Sequence, residues 1–405
     1  MTKVRTALVI GGGVAGPVAA LALHRAGIEA SVHEAYPSTS DGIGGTLALA
    51  PNGLAALEVV DARDAVVDIA TPISRTRMSF GGKDIELPSL PGLPPLQLLD
   101  RPDLHRALHD VAVARGIRIE HGKRLVAVDE NRTGVTARFA DGSTATADVL
   151  IGADGIHSTV RRIIDPVAPG PGYTGMLGFG AEVDRPVPVE PGTMVFAFGE
   201  RAYYLYWSLP NGRAGWGANL PQDRPMSLTE ARAVPAEEWL RRLRAAYGDD
   251  VPGGDLVRHI DPDQLQVTGS LHIMPSVPHW HRGRMVLVGD AVHAPSNSSG
   301  QGASLAIESA VELARCLRDL PDPRSAFTTY ERLRRPRVEG IAARAAKINH
   351  VKAPGRVTRA LMPLVMRLMT RTVMKPEKTL GPEQRYRINW DTPLHPHTNL
   401  AHQTN

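Results

Sequence analysis

What this chain has little of narrows its chemistry first. One cysteine, Cys316, occurs in 405 residues. An intrachain disulfide, a cysteine-based zinc site and a dithiol redox pair are therefore excluded. Its apolar surroundings mark Cys316 as a small buried hydrophobe, and a lone thiol fits the cytoplasm. Aromatics make up only 5% of the chain, and no Lys/Arg block is interleaved with them, so no nucleic-acid partner is expected. Net charge is +4, a sign that suits small anionic ligands. Long apolar runs are also lacking. Residues 6–23, eighteen positions without a charge after Lys3 and Arg5, mimic a signal peptide or membrane anchor. Three consecutive glycines and Pro17 interrupt them, so they read as strand, turn and buried helix, with no export and no stable membrane association.

What is present begins with a βαβ unit. Residues 7–10 read as a strand, 14–26 as a helix and 28–34 as a second strand. Pro17 falls in the first helical turn, where a missing N–H costs little, and Gly27 closes the helix. Between strand and helix lies Gly11-Gly12-Gly13-Val14-Ala15-Gly16, a G-x-G-x-x-G. Its first glycine permits the tight turn, the second the approach of a pyrophosphate, the third close helix–strand packing. The helix start then faces the phosphate charge. Glu34 ends the second strand, placed to accept ribose hydroxyls and to repel a 2′-phosphate. Only one such fingerprint exists, so a second dinucleotide has no Rossmann domain of its own.

Two further strand ends carry carboxylates. Residues 149–151 lead into Gly152-Ala153-Asp154-Gly155, where helix capping alone also explains the aspartate. Residues 285–288 lead into Gly289-Asp290, then through a small-residue loop to Gly300-Gln301-Gly302 and an apolar helix. That puts one carboxylate at a strand end and the free N–H groups of Gln301, Gly302 and Ala303 at a helix start. A cofactor with hydroxyls at one end and an electron-rich ring at the other needs this pairing.

The rest is organised around these motifs. Residues 46–60 read as loop and helix around Pro51-Asn52-Gly53, and 74–96 as a Pro/Gly-rich stretch. Residues 101–116 have helical spacing, with Asp100 as N-cap. Strands are expected at 125–129, 135–139 and 144–147, the last two joined by the hairpin Asp141-Gly142. From 166 to 281 short β-like runs such as 193–198 and 202–209 indicate an inserted, mostly antiparallel sheet. A long helix over 325–350, bent at Pro336, precedes an apolar-basic stretch at 356–374 that reads as a helix packed on the first domain, with a membrane-surface helix as the alternative. The tail after Pro393 reads as poorly ordered, and its three histidines form no complete ligand pattern, so no metal is expected.

The set Gly11/Gly13/Gly16, Glu34, Gly152-Ala153-Asp154-Gly155 and Gly289-Asp290 resembles the single-component FAD-dependent aromatic hydroxylases, the para-hydroxybenzoate hydroxylase-like flavoprotein monooxygenases. The likeness covers roughly residues 4–350. It implies an α/β fold: a Rossmann-like FAD-binding domain (1–165 and 283–350, with 72–98 open to either side), an inserted substrate domain (166–282) and C-terminal helix and tail (351–405). It implies that Asp290 binds the FAD ribitol and that Arg101, opening RPDLHRAL, contacts the FAD backbone. Asp154, with Ser158 and Arg161, falls in a segment linked to FAD and NAD(P)H. The cofactor set is then Gly11, Gly13, Val14, Ala15, Gly16, Glu34, Arg101, Asp154, Asp290, Gly300, Gln301, Gly302 and Ala303.

By the same resemblance NAD(P)H reduces the flavin, and O2 adds at C4a to give a hydroperoxide. That species hydroxylates or epoxidises a hydrophobic, aromatic or polycyclic small molecule of the kind found in natural-product metabolism. The flavin carries the chemistry, so no catalytic triad is needed. His293 and Asn297 are flavin-proximal candidates. His293 reads more readily as a packed histidine, and Asn297 stands where many relatives carry a proline, with Pro295 two positions earlier. Residues 176–182, 203–207 and Trp216 line the substrate pocket or the sheet core. The rival readings are a reductase of the same superfamily and a flavin-binding protein without turnover. No W-x-W-x-I-P segment supports a halogenase. Oligomeric state and NADH-versus-NADPH preference are open.

Overall fold

The computed structural model describes residues 3–38, 45–349 and 376–395. Its first sheet has six strands in the order His281–Arg282, Met285–Leu287, Val149–Gly152, Thr6–Ile10, Glu29–His33, Arg118–Glu120. All neighbours are parallel except the His281–Arg282 edge. Val149–Gly152 and Met285–Leu287 are wholly buried, as short Val/Ile/Leu runs covered on both faces should be. Register fixes the site. Ile10 lies opposite both His33 and Gly152, and Gly152 opposite Leu287. The glycine loop, Glu34, Asp154 and Asp290 therefore all leave the sheet along one edge, outside the carboxyl ends of its strands.

Helix Ala15–Arg25 is buried from Ala15 through Leu23, because it is sandwiched between the sheet and helix Gly302–Asp319. Small residues allow the approach. A Cβ on Gly289 would lie 3.0 Å from Ala15 Cβ and 3.2 Å from Ala306 Cβ.

The second large sheet has seven strands: Gln266–Ile273, Gly172–Val183, Ala214–Pro221, Tyr203–Ser208, Thr193–Phe198, Arg75–Phe80 and Lys83–Glu86. It is antiparallel except where Thr193–Phe198 runs parallel to Arg75–Phe80. Residues 74–96 thus supply two strands rather than a bare connection. Their polar sequences, RTRMSF and KDIE, carry little apolar alternation. The stretch 166–282 also holds helices that sequence reading did not foresee, Leu228–Ala233, Ala236–Tyr247 and Gly253–Arg258. Trp239, Leu243 and Tyr247 pack on Val195, Tyr204, Tyr206 and Trp216 from one sheet face. From the opposite face Met194 and Trp207 pack on Ile73 and Leu98. The last two belong to a three-stranded sheet, Thr46–Leu49, Leu96–Asp100 and Thr71–Ile73.

Other boundaries follow the sequence with local departures. The hairpin at Asp141-Gly142 forms, with Gly142 at φ +84°. Helix Arg101–Ala114 starts at Asp100, but that side chain accepts from Thr46 Oγ1 (2.8 Å) instead of capping. Thr46 pairs with Asp100 across the small sheet, which draws the carboxylate away from the helix. Thr46–Leu49 forms a strand rather than a loop, and helix Pro51–Val59 follows it. Helix Pro323–Asn349 runs through Pro336. The stretch 356–374 and the tail beyond 395 lie outside the described residues. Cys316 is fully buried, and burial raises its thiol pKa. No helix among the described residues is long and apolar enough to cross a membrane. Nor is there among them a cluster of three or more His, Cys, Asp or Glu able to hold a metal.

Helix Gly302–Asp319 carries charges in its buried face. Glu308 is 0% exposed and is held by Arg334 (2.7 Å), itself 0% exposed, and by Arg337 (2.8 Å). Removing one partner of such a pair leaves a buried charge short of compensation. Arg334→Met is expected to lower unfolding free energy by about 3 kcal/mol, toward the low end for a broken buried pair because Arg337 remains. Urea denaturation followed by circular dichroism checks this.

Candidate active site

The glycine fingerprint is built as its spacing requires. Gly11 has φ +106°, and a Cβ there would lie 2.7 Å from the Ala153 carbonyl carbon and 2.9 Å from Asp154 Cα. A Cβ on Gly16 would collide with the Gly11 carbonyl oxygen. Over Gly13 the nearest atom to such a Cβ is His105 Cε1, 3.9 Å away, so the middle glycine opens onto free space. Two glycines therefore serve close packing and one leaves room for a ligand beside the helix start. Val14 precedes the helix and Ala15 opens it.

Glu34 is held at the rim. Its Oε2 accepts from Gly12 N (2.5 Å) and its Oε1 from Tyr36 N (2.9 Å). Asp290 sits in the turn Gly289–Ala291. Burial raises its pKa above the ordinary carboxylate range, and Arg101 offsets part of that. No hydrogen bond to the Asp290 carboxylate comes from the described residues. Arg101 itself is exposed at the first turn of its helix, where its backbone N–H donates to Gly45 O (3.2 Å).

Asp154 is engaged elsewhere. Its carboxylate accepts from Ser158 Oγ (2.5 Å), Thr159 N (2.7 Å) and Val160 N (3.1 Å), which caps helix Thr159–Ile164. Arg161 is buried beside it, donating to Ala291 O (2.7 Å) and Ile156 O (2.8 Å). The Asp154 segment is thereby tied to the Asp290 turn, while its backbone abuts Gly11.

At the other end of the loop, Gly300 takes φ +59° and Gln301 is the N-cap of helix Gly302–Asp319. The amides of Gly302 and Ala303 have no acceptor within the helix, as at every helix start. Asn297 accepts at its backbone from Gly300 N (3.1 Å), forming the turn that leads there. His293 is buried, with Nε2 2.8 Å from Ser309 Oγ. Burial, then Arg334, lowers its pKa to about 3. It is a neutral packing residue at ordinary pH and poorly suited to proton transfer. Pro295 and His293 instead border a cavity of about 250 Å3 behind the loop, against Trp280 and Val338.

The donor set fits FAD: an open glycine cradle, a rim carboxylate for a ribose, a strand-end carboxylate to which no described residue donates a hydrogen bond, and amides at a second helix start without an acceptor in the helix. Comparison with known proteins agrees. Residues 4–345 match the model of the FAD binding domain family. The chain belongs to that family. Within it, the chain is one of the single-component FAD-dependent aromatic hydroxylases, an FAD-dependent monooxygenase with NAD(P)H as electron donor. It is 31% identical to a 3-amino-4-hydroxybenzoate 2-monooxygenase of Streptomyces platensis, over 84% of this chain and 87% of that protein. It is 30% identical to an FAD-dependent urate hydroxylase of Klebsiella pneumoniae, over 84% and 88%. A substituted form of Klebsiella pneumoniae HpxO solved with FAD superposes with TM-score 0.76 at 25% identity, covering 93% of this chain and 97% of that one.

Sequence reading missed three contributors. His105 stands against the glycine loop, and burial, then Arg101, lowers its pKa to about 4. Asn52 and Glu308 lie beneath the Gln301 turn. The signal for Glu308 was legible: glutamates at 308 and 312 share one face of an otherwise apolar helix. The sheet positions also divide by parity. Trp216, Tyr204 and Tyr206 lie in the helix-covered core, not a pocket, because alternate residues face opposite sides. Leu205 and Trp207 point the other way.

His105 and His293 are neutral in the folded protein down to about pH 4 and 3, whereas unfolded histidine titrates near 6.5. Their contribution is fully present above about pH 6.5 and is lost as pH falls toward those values, at up to about 1.4 kcal/mol per pH unit each. Urea midpoints compared between pH 7 and 4.5 should fall less steeply in His105→Gln and His293→Gln than in the parent.

Proposed function

We propose that this monooxygenase acts on a small planar ring laid against the glycine-floored face of the seven-stranded sheet. The observation that carries this is the pair Gly180 and Gly217. They lie opposite each other on the second and third of the seven strands. A Cβ on Gly217 would have only the Phe179 carbonyl oxygen near it, at 3.8 Å, and Gly217 is only half-buried. Central strand positions normally carry β-branched or aromatic side chains, so the glycine at 217 leaves a hollow, bordered over Gly180 by Gln266, whose Oε1 would lie 3.5 Å from a Cβ there. Leu205 pairs with Gly217 on its far side, and Gln266 with Gly180. The next row holds Gly215 with the Trp207 indole lying across it. Gly45, at the start of the segment that leads to helix Pro51–Val59, touches Thr268 of the edge strand. The hollow thus adjoins the cofactor half.

On this reading the FAD-binding unit comprises 1–165 and 283–350, the unit 166–282 with the strands of 72–98 carries the substrate, and 351–405 follow. Glu34 accepts the adenosine ribose hydroxyls, and the amides of Gly13, Val14 and Ala15 face the pyrophosphate, since those of Gly11 and Gly12 donate to His33 O and Glu34. Asp290 accepts the ribityl hydroxyls beside Arg101. Asp154 acts through its helix cap, keeping the loop under Gly11 in place. FAD held there would supply the redox chemistry, accepting hydride from NAD(P)H and activating O2, of which one oxygen atom would pass to the ring and the other would leave as water. The chain orients the two rings, sets amides of Gly302 and Ala303 against developing negative charge, and keeps water from the reacting edge. A need for NAD(P)H favours the cytoplasm.

Urate and 3-amino-4-hydroxybenzoate are the first substrates to test, because relatives act on them. Substrate-stimulated NAD(P)H oxidation, O2 uptake and a product heavier by one oxygen atom support the reading. Reduction without oxygenated product supports the reductase alternative. Gly217→Val is expected to raise the substrate KM at least about tenfold, the effect of losing roughly 1.4 kcal/mol of contact, with FAD content unchanged. Asp290→Ala is expected to weaken FAD by about ten- to hundredfold, the range for hydrogen bonds to a charged group, measured by flavin fluorescence titration.

A further inference from the structure

Beneath the Gln301 turn lies a row of buried side chains whose hydrogen-bond polarity is determined. Asn52, Gln301, Glu308 and Arg334 are all at most 3% exposed. Asn52 Nδ2 donates to Glu308 Oε1 (2.7 Å) and to Gln301 Oε1 (2.9 Å). Arg337 donates to both Glu308 oxygens (2.8 Å each), and Arg334 pairs with Oε2 at 2.7 Å. Burial alone would raise the Glu308 pKa, but the two arginines and these hydrogen bonds outweigh it and hold the group ionised.

The consequence follows from donor and acceptor inventories alone. An ionised carboxylate only accepts. Asn52 must therefore turn its nitrogen, not its oxygen, toward Glu308. Its second N–H then points at Gln301, so Gln301 must present oxygen inward. Its own NH2 group, on the residue that precedes helix Gly302–Asp319, is left over, and nothing among the described residues accepts from it. Side-chain amides are ordinarily ambiguous in orientation, but here the carboxylate removes the ambiguity. Asn52 Oδ1 is left without a partner, the cost of holding this orientation.

We propose that Gln301 donates a hydrogen bond to the flavin ring of bound FAD, oriented by a polarity relay running from Glu308 through Asn52. This rests on the ring lying at the start of helix Gly302–Asp319. Its acceptor is a ring carbonyl that gains negative charge on reduction. Gln301 touches the cofactor. Asn52 and Glu308 are positioning residues that act through it.

The test is the two-electron midpoint potential of the FAD-loaded full chain, equilibrated against a reference dye without substrate. Gln301→Leu should disfavour the reduced form about tenfold, roughly 30 mV for a two-electron couple, and Gln301→Glu more. Asn52→Leu, which frees Gln301 to rotate, should move the potential in the same direction by a smaller amount. The double variant Asn52→Leu/Gln301→Leu should match Gln301→Leu alone, because the relay then has nothing to orient. Asn52→Ser serves the same purpose should the leucine variant fail to fold. An unchanged potential in Gln301→Leu, or additive shifts in the double variant, overturns the proposal. So does a loss of FAD affinity in Gln301→Leu with no change in potential, which would put the donor on another part of the cofactor. Failure of the unaltered chain to bind FAD at all would instead overturn the reading beneath it, before any variant is made.

Discussion

The Glu308 carboxylate, buried without exposure and held by two arginines, is the point on which the cofactor half is assembled. Four segments distant in sequence meet there. Helix Pro51–Val59 brings Asn52, helix Gly302–Asp319 brings Glu308 itself, and helix Pro323–Asn349 brings Arg334 and Arg337. The segment after residue 376 joins through Arg337, which also donates to Pro382 O and Glu383 O at 2.7 Å. A charge in such a place is costly unless every lone pair is met. Its partners come from two other helices at once, so it ties their positions together more than it adds net stability. The same packing fixes the Gln301 turn. Gly53 lies so close to Ser304 that a Cβ there would be 2.7 Å from its hydroxyl, and that hydroxyl accepts from Ala50 N (3.1 Å).

Strand register does the corresponding work at the sheet edge. Ile10, His33, Gly152 and Leu287 stand level, so motifs separated by more than a hundred residues leave the sheet side by side. Each then needs only local chemistry. Gly11 turns at positive φ, Glu34 is steadied by Gly12 and Tyr36, and Asp154 caps helix Thr159–Ile164, which holds its loop beside Gly11.

How much of this could be read beforehand depended on whether the signal was local. The βαβ unit, the hairpin at Asp141-Gly142 and the strand-to-helix run ending in Gln301 are written in contiguous residues, through glycine, turn and apolar patterning. Strands Arg75–Phe80 and Lys83–Glu86 are not, since their partners lie more than a hundred residues away or their side chains are polar. Asp154 showed the limit in another way. The same carboxylate after the same kind of strand fits cofactor contact or helix capping, and only the positions of Ser158, Thr159 and Val160 reveal where its lone pairs go. The parity of Tyr204 against Leu205 was equally beyond reach until the face covered by helix Ala236–Tyr247 was known.

The parallel pairing of Arg75–Phe80 with Thr193–Phe198 bears on modularity. The substrate sheet is not a continuous cassette. Excised as 166–282, it would lose two strands at one side and bare the hydrogen-bonding groups of Thr193–Phe198, a segment rich in Val, Phe and Met. Such an edge pairs readily with other chains. Exchange of this half between related enzymes, by recombination or by design, therefore has to carry two separate pieces of chain together.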